Sequence, residues 1–269
     1  MFECSVSNIA WSREEELEAF EVLKQQSITN LEVAPARVVS NLECFSMSEV
    51  REYRDYCRLN GLSISSMQAL LFGGPNLNIF GSNDDREILQ KYLLNIIEMG
   101  HGLGASKLVF GSPKNRLKGG LGKDDSFDVA ASFFEPLARK AAGYGCEICI
   151  ENNPTYYGAD FLTTTQEVCD FIIFSDIKGL GAHFDTGGMF LSGENYENSL
   201  ISNKELISHV HVSEKDLLPL SIGNIDHKVI ANTLKGIGYN KVVSLEMKRS
   251  NKSIYDLGHS IKIINEIYR

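Results

Sequence analysis

The stretch Gly238–Ser250, "GYNKVVSLEMKRS", decides how the chain closes. A turn gives way to a short apolar, β-branched run, and a carboxylate, Glu246, interrupts it. A run of this kind bounded by turn residues reads as a buried strand. The segments Phe2–Val6, Thr29–Val33, Leu62–Gln68, Lys107–Phe110, Glu147–Glu151, Gly181–Asp185 and Ser208–Val212 read the same way, so Val242–Glu246 is the eighth strand. Helical patterns follow each of them, near 13–25, 46–60, 84–103, 126–144, 164–176, 195–206, 226–237 and 252–268. Strict alternation means parallel strands joined by right-handed crossovers. Eight such units predict an α/β chain folded as one (β/α)8 TIM barrel, a single domain over 1–269. An open doubly wound sheet is the alternative, but the first strand–helix turn, "SVSNIAWS", lacks the GxGxxG of its dinucleotide-binding form.

Local signals agree with the helices. Ser12 with Glu15 reads as a capping box, Ser46 and Ser48 precede "EVREYRDYC", and Asp84 or Asp85 opens a long helix with Gly100 near its end. Gly143 and Gly145 stop the fourth helix, and Asp226 is placed as an N-cap before "HKVI".

Composition excludes several function classes. The net charge of −9 argues against a protein that grips a nucleic-acid backbone or an anionic membrane. No apolar run approaches a membrane span, and "MFECSVSNIAW" lacks the pattern of a signal peptide. Six cysteines without a CxxC spacing read as reduced core residues. The expected compartment is the cytoplasm.

Barrel enzymes build their sites at the C-terminal ends of strands. Here the fifth strand ends at Glu151, the sixth at Asp185, and the eighth at Glu246, while the seventh carries His209 and His211. Alternate strand residues face opposite sides. Ile148 and Ile150, Ala182 and Phe184, Val210 and Val212, and Val243 and Leu245 read as the helix-facing set. Glu151, Asp185, His209, His211 and Glu246 then all point inward, with His183 a layer deeper than Asp185 and read as structural. Three facing carboxylates repel one another, and a divalent cation resolves the conflict. Two Glu, one Asp and one His suit Mn²⁺, Mg²⁺ or Co²⁺, with Zn²⁺ also in range. His209 stands open between a partner behind a ligand and a packed core histidine.

At these residues the chain resembles the xylose-isomerase-like sugar phosphate isomerase/epimerase superfamily, including ketose 3-epimerases of the D-tagatose 3-epimerase type. The carrying segments are "LEVAP" (31–35), "GASKLVFGSPKNR" (104–116), "IENNPTYYGADFLTT" (150–164), "GAHFDTGG" (181–188), "HVHVSE" (209–214), "IGNIDH" (222–227) and "GYNKVVSLEMK" (238–248). The resemblance implies one divalent metal on Glu151, Asp185, His211 and Glu246, no organic cofactor, and Glu151 and Glu246 as catalytic acid/base groups on opposite faces of the substrate. It implies a small-molecule sugar or sugar-like polyol as partner, phosphorylated or not, no nucleic acid or membrane, and a homodimer or homotetramer. Two departures concern substrate contacts: Gly188 stands where many epimerases carry a His, and "HVHVSEKDLLPL" has no counterpart of their seventh-strand Arg.

The substrate-facing candidates are His209, Glu32, Gln68, Lys114, Arg116 and Lys248, with Phe72, Tyr156 and Tyr157 as aromatic walls. Glu32 and Gln68 read equally as a polar barrel layer, and the cations equally as solvated loop charges or as holders of an anionic substrate group. The leading expectation is a metal-dependent sugar isomerase or epimerase. Alternatives are a keto-inositol dehydratase, an endonuclease IV-type apurinic endonuclease and a non-catalytic sugar-binding barrel. Six histidines, two of them in helical stretches, are few for the metal cluster that an endonuclease of that type needs.

Overall fold

The computed structural model describes residues 2–269. Eight parallel strands close in sequence order: β1 Cys4–Ser7, β2 Asn30–Val33, β3 Ser63–Met67, β4 Lys107–Phe110, β5 Glu147–Glu151, β6 Leu180–Asp185, β7 Ile207–Ser213 and β8 Val243–Glu246. β8 hydrogen-bonds to β1, with Leu245 opposite Val6, so the "VVSLEMK" stretch does seal the barrel. The helix-facing parity holds: Ile148, Ile150, Ala182, Phe184, Val210, Val212, Val243 and Leu245 are all buried in the apolar layer between strands and helices.

The helices lie where the sequence placed them, with shifts at their starts. Ser46 and Glu49 form a capping box on the helix Met47–Leu59, and Ser82 with Asp85 forms one on Asn83–Leu103. That second helix therefore begins before Asp84, and Gly104 in a left-handed conformation ends it. Gly100 lies inside it, where a Cβ would stand 2.7 Å from Leu108 Cδ2, so this glycine lets the helix settle on β4. The Ser12 backbone N–H donates to Glu15 Oε2, but the first helix starts only at Glu16. An additional short helix, Thr186–Leu191, begins directly at the end of β6 with Asp185 as its N-cap.

The barrel interior is polar. Ser5, Ser7, Glu32, Ser66, His183, His209 and Ser244 are buried there, where branched apolar layers are the common filling. Buried polar groups need partners, and Glu32 serves three of these residues. Its carboxylate accepts from Ser66 Oγ at 2.8 Å and Ser244 Oγ at 3.0 Å, and stands 2.9 Å from His209 Nε2. Two register shifts make this possible: one between Leu31 and Glu32 sets Ser66 opposite Glu32, and one between Ala182 and His183 sets His209 opposite His183.

Behind the barrel mouth a second buried carboxylate holds a loop. Glu214 accepts from the N–H groups of Asn224 and Ile225 and stands 3.1 Å from His227 Nε2. The "HVHVSE" and "IGNIDH" segments are thus the two halves of one structural clamp. Asp226 caps the helix His227–Gly236, as its position in the sequence implied. Among the described residues, no helix is long and apolar enough to cross a membrane.

Candidate metal centre

Register explains how residues from four strands meet. Glu151 pairs laterally with His183, Asp185 with His211, and Ser213 with Glu246. The inward side chains form a rising staircase around the mouth, because barrel strands are staggered as well as tilted. His183 is level with Glu151 and His209, one inward step below Asp185 and His211, as counting along β6 places it.

The convergence is on His211. Its Nδ1 lies 3.1 Å from Glu246 Oε2, 3.9 Å from Glu151 Oε1 and 3.9 Å from Asp185 Oδ2. Its Nε2 points the other way, 2.8 Å from Glu32 Oε1. A carboxylate behind an imidazole fixes the ring and its tautomer, leaving the outer nitrogen for a cation. Glu32 thus presents His211 Nδ1 to the site. Asp185 is held on both oxygens: Oδ1 accepts from Gly188 N–H at 2.5 Å and Oδ2 from Ser213 Oγ at 2.6 Å. Donor atoms from Glu151, His183, Asp185 and His211 all lie within 4.8 Å of one another, and Glu246 stands beside this group at 3.1 Å from His211 Nδ1.

The electrostatics match the chemistry of a cation site. Burial, then the negative charges of Asp185 and Glu246, push the Glu151 carboxyl up to about 8. Burial and Glu246 push Asp185 up to about 6. For His211, burial opposes the charged ring, but Glu32 and Glu246 overcome it and hold the imidazole well above its ordinary value. Burial opposes ionisation of Glu32 too, yet His211 and His209 keep it well below the carboxylate range. Burial drives His183 and His209 down, so both are neutral imidazoles. Two carboxyls that resist ionisation beside a third carboxylate and one imidazole are a donor set that a divalent cation relieves. The residues present therefore fit the metal.

The remaining sequence candidates divide. Gln68 and Lys114 line a cavity of about 480 Å³ whose floor is Glu151 and His211 and whose rim carries the exposed Phe72. Gln68 is also tied to Ser7 Oγ at 2.9 Å. Glu32 and His209 lie beneath the ligands, fully buried and bonded to each other, so neither faces the cavity as a substrate contact. Arg116 is 1% exposed and donates to the Glu151 carbonyl, so it is a buried strut behind β5 and not a loop cation. Lys248 is exposed and does not line this cavity, and neither do Tyr156 and Tyr157. Gly188 has a local reason: a Cβ there would stand 3.1 Å from both Asn152 Nδ2 and Asp185 Oδ1.

Sequence reasoning missed Ser213, whose hydroxyl steadies Asp185, and Gly111. A Cβ on Gly111 would lie 2.0 Å from Glu151 Oε2. The far end of a side chain can yield where backbone cannot, so Gly111→Ala should fold and displace the Glu151 carboxylate. Divalent-metal affinity is expected to fall at least about tenfold, a loss of the size seen when metal sites are perturbed. A chelator-competition titration checks this, and wild-type affinity in a folded variant would contradict it.

The family model for the xylose isomerase-like TIM barrel matches residues 11–267. A protein of Methanocaldococcus jannaschii, uncharacterized protein MJ1311, is 31% identical over 154 residues, covering 53% of this chain and 48% of that protein. The match thus spans about half the length of that relative. D-psicose 3-epimerase, solved in the presence of D-fructose, superimposes with a TM-score of 0.82 at 15% identity, covering 99% of each chain. The apo 3-keto-D-glucoside 4-epimerase YcjR of E. coli gives 0.79 at 19% identity, over 99% of this chain and all of that one. The IOLI protein with a bound zinc atom gives 0.75 at 15% identity, over 99% of this chain and 96% of that one. At such identities the superpositions establish the fold, while the family match spans nearly the whole sequence. The chain belongs to the xylose isomerase-like TIM barrel family.

Proposed function

We propose that this chain is a divalent-metal-dependent isomerase or epimerase of a sugar or sugar-like polyol. The observation that carries this reading is the convergence of Glu151, Asp185 and Glu246 on His211 at the open end of the barrel. These four residues would hold the cation. Once bound, it supplies stabilisation for negative charge developing on adjacent substrate oxygens. Mn²⁺, Mg²⁺ or Co²⁺ suits the excess of carboxylate donors. The solved neighbours include sugar epimerases and a zinc-binding protein, which agrees with this chemistry.

The chain's own groups do the rest. One carboxylate, Glu246, takes the proton from the carbon beside the substrate carbonyl. The electron pair of that C–H bond moves into the carbonyl, leaving an enediolate. Glu151, protonated, returns a proton from the other side. Delivery to the same carbon inverts it, and delivery to the neighbouring carbon, with the hydroxyl proton passing to the former carbonyl oxygen, exchanges aldose and ketose. In the reverse direction the two carboxyl groups exchange roles. Gln68 and Lys114, on the cavity wall, bond the outer hydroxyls or an anionic substituent and fix which carbon is presented.

The test is a panel of ketoses, aldoses and inososes incubated with metal-loaded protein in D₂O. Gain of carbon-bound deuterium without loss of water is expected. Loss of water from an inosose would instead establish a dehydratase, and no exchange with any member would contradict proton transfer.

A pH signature accompanies the metal. Glu151 and Asp185 have folded-state values above their ordinary ones, so the folded, metal-free chain holds extra protons. That stabilising contribution is complete at low pH and is lost as pH rises through about 6 and then about 8. His183 and His209 are shifted down, so their contribution rises with pH through the ordinary histidine value of about 6.5 and is all but complete by about pH 7.5. A cation replaces the lost protons, so the metal-induced rise in Tm should grow between about pH 6.5 and about pH 8. A rise that shrinks over this range would contradict the assignment.

A further inference from the structure

The cavity over the metal centre is lopsided. Glu151 and His211 form its floor, Asp185 and Glu246 do not line it, and its volume of about 480 Å³ extends over the loops that follow β3 and β4. The other side of the mouth is bridged. Tyr156 Oη donates to Asp216 Oδ2 at 3.5 Å, and Lys215 Nζ sits 4.9 Å from the centre of the Tyr156 ring. The loops after β5 and β7 thus meet across the end of β6. A ligand that reaches beyond the metal centre leaves it on the β3–β4 side.

That side is a rigid apolar wall. Leu71, Phe72, Pro75, Val109 and Pro113 line it, and Phe72 is 73% exposed. Single exposed apolar side chains are ordinary, but this one tops a built structure. Asn115 Nδ2 donates to the carbonyls of Pro75 at 3.3 Å and Leu77 at 2.7 Å, and the Ile79 N–H donates to the Asn115 carbonyl, lacing the two loops together. Ala69 (φ 52°) and Ser112 (φ 53°), both in the lining, hold the left-handed conformation that is costly for a residue with a Cβ. The Phe72 N–H donates to the Ala69 carbonyl, closing a turn that buries Leu71 and leaves the Phe72 ring facing out. Polar groups near the floor, Gln68 among them, suit hydroxyls, whereas the outer wall offers an aromatic face.

We propose that this wall is a subsite for a second ring, carried by the sugar at the end remote from its carbonyl, and that Phe72 is the platform on which the ring stacks. The inference rests on the metal-centred reading above and narrows its substrate class from free sugars to ring-substituted ones. The carbonyl end lies at the floor with the cation, and the substituent runs out between the β3 and β4 loops. An aromatic face accepts either the C–H face of a second sugar or an aromatic ring. A wall already held in place binds such a group without the cost of ordering it.

Calorimetric titration of the Co²⁺-loaded protein with D-fructose, its 6-O-glucosyl and 6-O-benzyl derivatives and its 6-phosphate tests the subsite. At least one ring-bearing derivative is expected to bind about tenfold more tightly than fructose. Which of the two does so tells a second sugar from an aromatic group. The advantage over fructose should vanish in Phe72→Ala and survive in Phe72→Trp, a split that a general loosening of the loop would not give. Three results overturn the proposal: neither derivative binding more tightly than fructose, an advantage that persists in Phe72→Ala, or an advantage for the 6-phosphate alone that is lost in Lys114→Met. Each of these leaves the metal-centred chemistry standing if sugars still exchange deuterium. Absence of both exchange and sugar binding overturns the two together.

Discussion

Replacing Glu246 by Gln is expected to abolish proton transfer while the barrel stays folded. The side chain sits at the end of β8, 3.1 Å from His211 Nδ1, and the amide keeps its size and hydrogen-bonding outline. An amide cannot accept a carbon-bound proton. Loss of a positioned general base costs about 10²–10⁴-fold in rate, so deuterium wash-in should fall by that factor at saturating metal. Saturation matters because Glu246 is also within reach of the cation, and a weaker site would lower the rate by another route. Glu151→Gln should lower exchange comparably and weaken the metal as well, since Glu151 lies inside the convergent donor group. The two variants thus separate a proton carrier from a carrier that is also a principal ligand. Exchange at the native rate in metal-saturated Glu246→Gln would remove Glu246 from the chemistry.

The largest expected effect on stability comes from Glu32. Its carboxylate is wholly buried and receives Ser66, Ser244 and His209, with His211 Nε2 at 2.8 Å. Glu32→Leu removes the acceptor and leaves two imidazoles and two hydroxyls facing an alkyl group. Breaking a buried charge pair from one side costs about 3–5 kcal/mol. For a domain of this size that is a fall in Tm of roughly 10 °C. The same change frees His211 to turn, so metal affinity should drop about 10–100-fold. Glu32→Gln, which retains one acceptor oxygen, should lose less on both counts. Thermal unfolding and chelator competition read the two effects. Native Tm with native affinity in Glu32→Leu would show that the polar interior does not organise the site.

The barrel was legible because period and parity are local. Val243 and Leu245 on one parity, with Ser244 and Glu246 on the other, already state which side of β8 meets the helices. The same alternation marked Glu151, Asp185 and His211 as inward residues at strand ends, and the structure brings their donor atoms together. What stayed hidden depends on closure and register. Glu32 and His209 meet across 177 positions of sequence, so nothing near either residue announces the pair. The shift between Ala182 and His183 set His183 opposite His209, which counting along one strand cannot reveal. Arg116 reads as a loop cation because its sequence neighbours are polar, yet the loop folds back and buries it against β5. Gly111 carries no signal at all until the Glu151 carboxylate is seen resting where a Cβ would stand.

The central claim is that these strand ends form one metal centre. It is tested most directly by titrating chelator-stripped protein with Co²⁺ and counting bound metal per folded chain. Saturation at about one ion per chain is expected, with the tight site lost in Glu151→Ala. No tight binding, a site unaffected by Glu151→Ala, or saturation near about three ions per chain would contradict it.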